Sequence, residues 1–249
     1  MKELYKFSDT RNNNTIKYLD CSTNIVIKIA EQNIIEYDYY ISKMVNGKLP
    51  INIFGQEDKS NIVAIPIPGF IDYIDKVRCE YNALNIYQYK NPFYIKMLYY
   101  PYRSLREFDW LNNINGFRSC LKQIVLSFTM AYTEYGLIYN KMPISSIIIK
   151  NTNKNYIDYG RYQVETNGLE IVIMDFEEST YMPNKIEELF QNIWRLFFFI
   201  EYYMYIEFNN NSAIDSILLN NKSIDNIYYI LSLIDNIVSV KTTLKGSLI

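Results

Sequence analysis

The chain has 249 residues, 49% hydrophobic and 21% charged, with a net charge of −2. That suits one medium domain or two lobes with a sizeable core, and it supplies no basic field, so nucleic acid is not an expected partner. There is no His, which excludes His triads, His zinc sites and an imidazole base.

In chain order, the opening MKELYKFSDTRNNN is polar and unlike a signal peptide. Asn24–Ala30 is β-branched and reads as a strand. Residues 31–44 follow a helical spacing, with Asn46-Gly47 as the stop. Leu49–Phe54 and Asn61–Pro68 read as short strands between turn residues. Residues 72–90 are ambiguous, with Tyr73–Leu84 compatible with a helix. Phe93–Tyr100 is a strand closed by Pro101.

Beyond Pro101 the pattern becomes helical. Ser104–Trp110 opens with Ser104 and carries Glu107 three residues on, the spacing of a capping box. Phe117–Tyr135 has a clear apolar stripe ended by Gly136. Ile147–Ile149 and Ile171–Met174 are short strands around a polar loop, and residues 184–208 and 223–238 read as helices. The apolar run Leu189–Phe208 contains Arg195, Glu201 and Glu207, which marks a core helix rather than a membrane span. Cys21, Cys79 and Cys120 form no disulfide framework, so an intracellular, reducing compartment (cytoplasm or nucleus) is expected.

Ala131–Ser179 carries a further pattern: Gly136-Leu-Ile-Tyr139-Asn-Lys141, then Ser146 before Ile147–Ile149, then LEIVIMDFEES. With the strand lysine Lys28, this set resembles the catalytic loop and metal-binding strand of protein kinases. The roughly twenty-residue excursion through Tyr156–Gly168 and the missing Ala-Pro-Glu motif are closest to divergent haspin-like, including viral, kinases.

The resemblance implies an α+β bilobal fold: a β-rich N-lobe over 1–100, a mainly helical C-lobe over 101–249 and a reduced activation segment. Lys28 would hold the nucleotide phosphates. Glu36 is the chosen carboxylate partner for it, with Glu31 and Glu80 open. The hinge backbone at Leu98, Tyr99 and Tyr100 would face the adenine, and Asp175 would bind Mg²⁺, in a cleft lined by Lys28, Asp175 and the hinge.

Four positions depart from the kinase pattern. Tyr139 stands for the loop His, Lys141 for the catalytic Asp and Ser146 for the metal-binding Asn. Glu177 replaces the Gly after Asp-Phe, and the first 46 residues contain no Gly to cover phosphates. The resemblance therefore implies a pseudokinase that binds a protein partner, with ATP and Mg²⁺ weakly bound or absent. The alternatives are an unusual ATP-dependent transferase or divergent Ser/Thr kinase using Lys28, Asp175 and Glu177 or Glu178, and a purely structural domain. The Tyr-rich stretches 37–40 and 99–102 could serve an interface, but half-buried core positions are the favoured reading.

Overall fold

A computed structural model describes residues 4–10, 15–20, 23–49, 65–78, 92–98, 103–140, 144–208 and 223–242. The protein is mixed α+β, with four helices and antiparallel sheets among the described residues. It divides into two compact units. The first is Met1–Pro66, Ile71–Pro101 and Asp175–Glu177; the second is Ile67–Phe70, Tyr102–Met174 and Glu178–Ile249.

The first unit has a five-stranded sheet in the order β1-β2-β3-β5-β4. Its strands are β1 (Leu4–Thr10), β2 (Thr15–Asp20), β3 (Ile25–Glu31), β4 (Asp75–Arg78) and β5 (Pro92–Leu98). Register fixes the chemistry here. Lys17 of β2 lies directly opposite Lys28 of β3, and Lys28 opposite Ile95 of β5. Alternation puts Lys28 on the same face of β3 as Val26 and Ala30, both buried.

Helix α1 (Gln32–Val45) follows β3 without a loop. Its buried stripe is Ile35, Asp38, Ile41, Ser42, Met44 and Val45. Each buried aliphatic side chain there contributes roughly 1.5–3 kcal/mol. The Ser42 hydroxyl donates to the Ile71 carbonyl at 2.7 Å and accepts from the Tyr73 amide at 3.0 Å, so α1 fixes the segment that carries Tyr73.

Between Ile65 and Arg78 one open reading is decided and one expectation fails. Tyr73–Leu84 is not helical where described: Asp75–Arg78 is an edge strand on β5, because its main chain finds ladder partners there, including Ile74 N–H to the Lys96 carbonyl at 2.7 Å. Residues 65–68 of the expected Asn61–Pro68 strand are irregular. Pro66 and Pro68 carry no N–H to give a ladder. Leu49–Phe54 lies outside the described residues apart from Leu49.

The second unit is organised by α2 (Ile114–Tyr135), capped by the Asn113 side chain accepting from the Gly116 amide at 3.0 Å. Around it lie β6 (Leu137–Tyr139), β7 (Ile147–Asn151), β8 (Tyr156–Asp158), β9 (Gln163–Glu165), β10 (Leu169–Ile173), β11 (Ser179–Tyr181), α3 (Ile186–Tyr203), β12 (Met204–Phe208), α4 (Ile227–Asp235) and β13 (Ile237–Thr242). The pairs are β7–β10, β6–β11, β8–β9 and β12–β13. No helix is long and apolar enough to cross a membrane among the described residues.

Ser104–Trp110 forms a turn, not the expected helix. The capping-box contact is present, with the Ser104 hydroxyl donating to Glu107 at 3.0 Å. The backbone is drawn elsewhere: Leu105 N–H donates to the Ile147 carbonyl at 2.7 Å, and Ser104 bridges Ile148. The ends of the expected helices 184–208 and 223–238 are likewise strands, because Met204–Phe208 pairs with residues 237–242 of β13. The β8–β9 hairpin occupies what reads as a polar loop.

Gly136 ends α2 with φ of +62°, and a Cβ there would sit 2.8 Å from Pro183 Cα. Gly136→Ala combines left-handed strain with a clash against backbone. It is expected to lower stability by about 2 kcal/mol or more, read by urea denaturation. A loss under about 0.5 kcal/mol would show that the turn relaxes freely.

Candidate functional site

The first unit holds a buried charged centre built from four pieces of chain. Lys28 comes from β3, Asp38 from α1, Lys17 from β2, and Asp175 and Glu177 from the segment 175–177. The Lys28 ammonium is fully buried and bonds three carboxylates: Asp38 at 2.6 Å, Asp175 at 2.9 Å and Glu177 at 2.5 Å. Lys17 bonds the other oxygen of Asp175 at 2.7 Å. Asp38 is buried as well, accepting from the Tyr73 hydroxyl at 3.1 Å and the Phe176 amide at 2.8 Å. Tyr73 packs edge-on against Phe176, with ring centroids 6.2 Å apart.

Two lysines face three carboxylates, so the centre carries one net negative charge when all are ionised. Burial opposes the charge on Lys28, but Asp175, Asp38 and Glu177 together overcome it and hold the pKa well above 10.5. Asp175 is the reverse case: burial raises it, yet Lys17 and Lys28 hold it far below the ordinary carboxylate range. Glu177 is raised above 4.5, first by burial and then by repulsion from Asp38 and Asp175, which outweigh Lys28. The Tyr73 phenol is pushed up by burial and by the same three carboxylates.

Asp175 has φ of +65°, a left-handed conformation that a residue with a Cβ rarely adopts. Such strain persists only where surrounding contacts over-determine it. Here both carboxylate oxygens are held by lysines.

The α1 partner of Lys28 is Asp38, which corrects the expectation of Glu36. Glu36 instead accepts from Lys76 at 3.1 Å and from Gln32 at 3.3 Å, and its side chain is 34% exposed. Its pKa is lowered: burial raises it, and the hydrogen bonds from Lys76 and Gln32 with the Lys76 charge together prevail. Glu31 ends β3 at the start of α1 and makes no capping bond. Leu98 ends β5 opposite Ile25, with its side chain exposed. Glu80, Tyr99, Tyr100 and Lys141 lie outside the described residues. Glu178 closes the 3-10 turn Phe176–Glu178.

In the second unit, Tyr139 is buried, stacks on Phe128 and donates its hydroxyl to the Met174 carbonyl. That bond ties β6 to the end of β10. Ser146 closes the 3-10 turn Ile144–Ser146, is buried, and its carbonyl accepts from Met174 N–H at 3.0 Å.

Sequence reasoning missed Asp38, Lys17 and Tyr73. For Asp38 a signal existed, since it falls on the helical stripe Ile35–Asp38–Ile41–Val45, whereas Glu36 falls off it. A carboxylate on a buried stripe demands a cation. Lys17 required the β2–β3 register, and Tyr73 required the main-chain path fixed by Ser42.

No family model and no curated protein matches this chain.

Asp38, Asp175 and Glu177 offer carboxylate oxygens within 4.8 Å of one another, a spacing that could ligate a divalent ion. In the arrangement present, the Lys28 ammonium touches all three of them. In this arrangement a metal at Asp175 would lie beside the Lys17 or Lys28 ammonium, and a phosphate at Lys28 would meet the Glu177 carboxylate.

Proposed function

We propose that the chain is a bilobal protein-kinase-like domain, related in pattern to haspin-like kinases, that does not transfer phosphate and acts inside the cell as a protein-binding regulator or scaffold. The observation that carries this reading is the charged centre. A buried strand lysine is bonded to a helix carboxylate and to Asp175, a pairing that resembles the kinase one, and Glu177 and Lys17 add a further carboxylate and a further ammonium to the same centre.

The second unit supports the same reading. A catalytic loop needs a carboxylate to orient the substrate hydroxyl, and Lys141 stands at that position in the sequence. Tyr139 commits its hydroxyl to the main chain. For a scaffold, apolar surface is the useful feature, and α3 presents the Trp194–Phe198 stack with Phe198 and Phe199 exposed.

The test is phosphotransfer from labelled ATP to a panel of protein substrates with Mg²⁺ or Mn²⁺. We expect incorporation no higher than in Asp175→Ala. Turnover that vanishes in Asp175→Ala would overturn the reading.

A second reading, an ATP-dependent transferase of altered mechanism, draws on the three convergent carboxylates. It requires ATP with Mg²⁺ or Mn²⁺ to raise the melting temperature. Absence of any shift across both metals removes it.

A further inference from the structure

Resting on the kinase-like reading, we propose that Lys17 and Glu177 are built-in counterions that take the places of the metal ion and the phosphate, holding the charged centre closed without a nucleotide. Donor valence is what decides it. An ammonium has three N–H donors, and those of Lys28 meet three acceptors, on Asp38, Asp175 and Glu177. No donor remains for a phosphate oxygen, and the Glu177 carboxylate would repel one.

The same holds at Asp175. One oxygen accepts from Lys28 and the other from Lys17 at 2.7 Å. A divalent cation on that second oxygen would come within contact distance of the Lys17 ammonium. Lys17 thus supplies, from the protein, the positive charge a metal would bring.

Strand register makes the arrangement specific. Lys17 and Lys28 are direct cross-strand partners, a like-charge pairing that is destabilising by itself. Asp175 sits between them and bonds both, in a backbone conformation that is itself strained. Glu177 stands where the resemblance calls for a Gly, a residue with no side chain to reach Lys28.

The test measures binding by calorimetry on the whole chain, with tripolyphosphate alone, Mn²⁺ alone and Mg-ADP as probes. Glu177→Ala and Glu177→Gly, which both free the third Lys28 donor, are made so that one folded variant suffices. Either should bind tripolyphosphate at least about tenfold more tightly than the unmodified chain. Lys17→Met should gain at least about tenfold in Mn²⁺ affinity. The double variant Lys17→Met/Glu177→Ala should bind Mg-ADP, and adding Lys28→Met should abolish that binding. Folded variants that bind no tighter than the unmodified chain overturn the proposal, as does an unmodified chain that binds Mg-ADP as tightly as the double variant. Failure of the pseudokinase reading would appear separately, as phosphotransfer by the unmodified chain.

Discussion

Lys28→Met is expected to cost about 3–5 kcal/mol of stability at neutral pH, the range for removing one partner from a buried ion pair. Most of that cost comes from the uncompensated negative charge that stays buried, and less from the broken hydrogen bonds. Without Lys28, among the described residues Lys17 is the cation left at the centre, and it bonds Asp175. Asp38 is buried and, among the described residues, keeps two neutral donors, the Tyr73 hydroxyl and the Phe176 amide. Urea denaturation at pH 7 reads the loss. A variant within about 1 kcal/mol of the parent would show that the carboxylates relax into solvent or neutralise at no cost.

The pH dependence separates these causes. In the intact protein the Lys28 pKa is raised, so its contribution is complete below 10.5 and is lost only as pH climbs through the higher folded value. Asp175 is depressed, so its contribution is present above 3.8 and is lost as pH falls through its folded value. Both contributions are in force at pH 7. Glu177 runs the other way: it is raised above 4.5, so stability falls as pH rises from 4.5 through its folded value. Lys28→Met strengthens that opposing slope, because Glu177 then loses the ammonium that lowers its value. The variant should therefore regain part of its deficit between pH 7 and pH 5. Glu177→Gln in the parent should flatten the slope just above pH 4.5, since it removes a carboxylate whose value is raised.

How much of this was legible in the sequence depends on distance along the chain. Strand β3, helix α1 and helix α2 are stated by local pattern: a β-branched run, a buried stripe and a Gly stop. Lys28 and Asp175 stand out because each ends or lines an apolar strand within an ordered motif set. The strands β12 and β13 were not legible, since Met204–Phe208 continues the apolar helix pattern and becomes a strand only through its pairing with residues 237–242. Ser104–Glu107 shows the same limit. Its local signal was correct in detail, and a strand more than forty residues away took the backbone. Lys17 is a plain polar position until the hairpin register sets it against Lys28.

Asp38→Ala should cost about 3–5 kcal/mol, whereas Glu36→Ala, two residues away, should cost at most about 0.5 kcal/mol. The contrast follows from which face of α1 each residue occupies. Asp38 is on the buried stripe and gathers three donors: the Lys28 ammonium, the Tyr73 hydroxyl and the Phe176 amide. Its loss takes the carboxylate acceptor from the Phe176 amide and the Tyr73 phenol, and a buried donor that loses its acceptor costs about 1–3 kcal/mol. It also loosens the turn that presents Asp175 and Glu177. Glu36 bonds Lys76 at a partly exposed site, where screening and side-chain entropy consume most of the attraction. Asp38→Asn is the informative intermediate. It keeps an acceptor for Phe176 and removes one negative charge from a centre that has one in excess, so it should cost less than Asp38→Ala. Equal losses for Asp38→Ala and Glu36→Ala would mean that Glu36 shares the Lys28 centre in solution, and the assignment of Asp38 as its α1 carboxylate would fall.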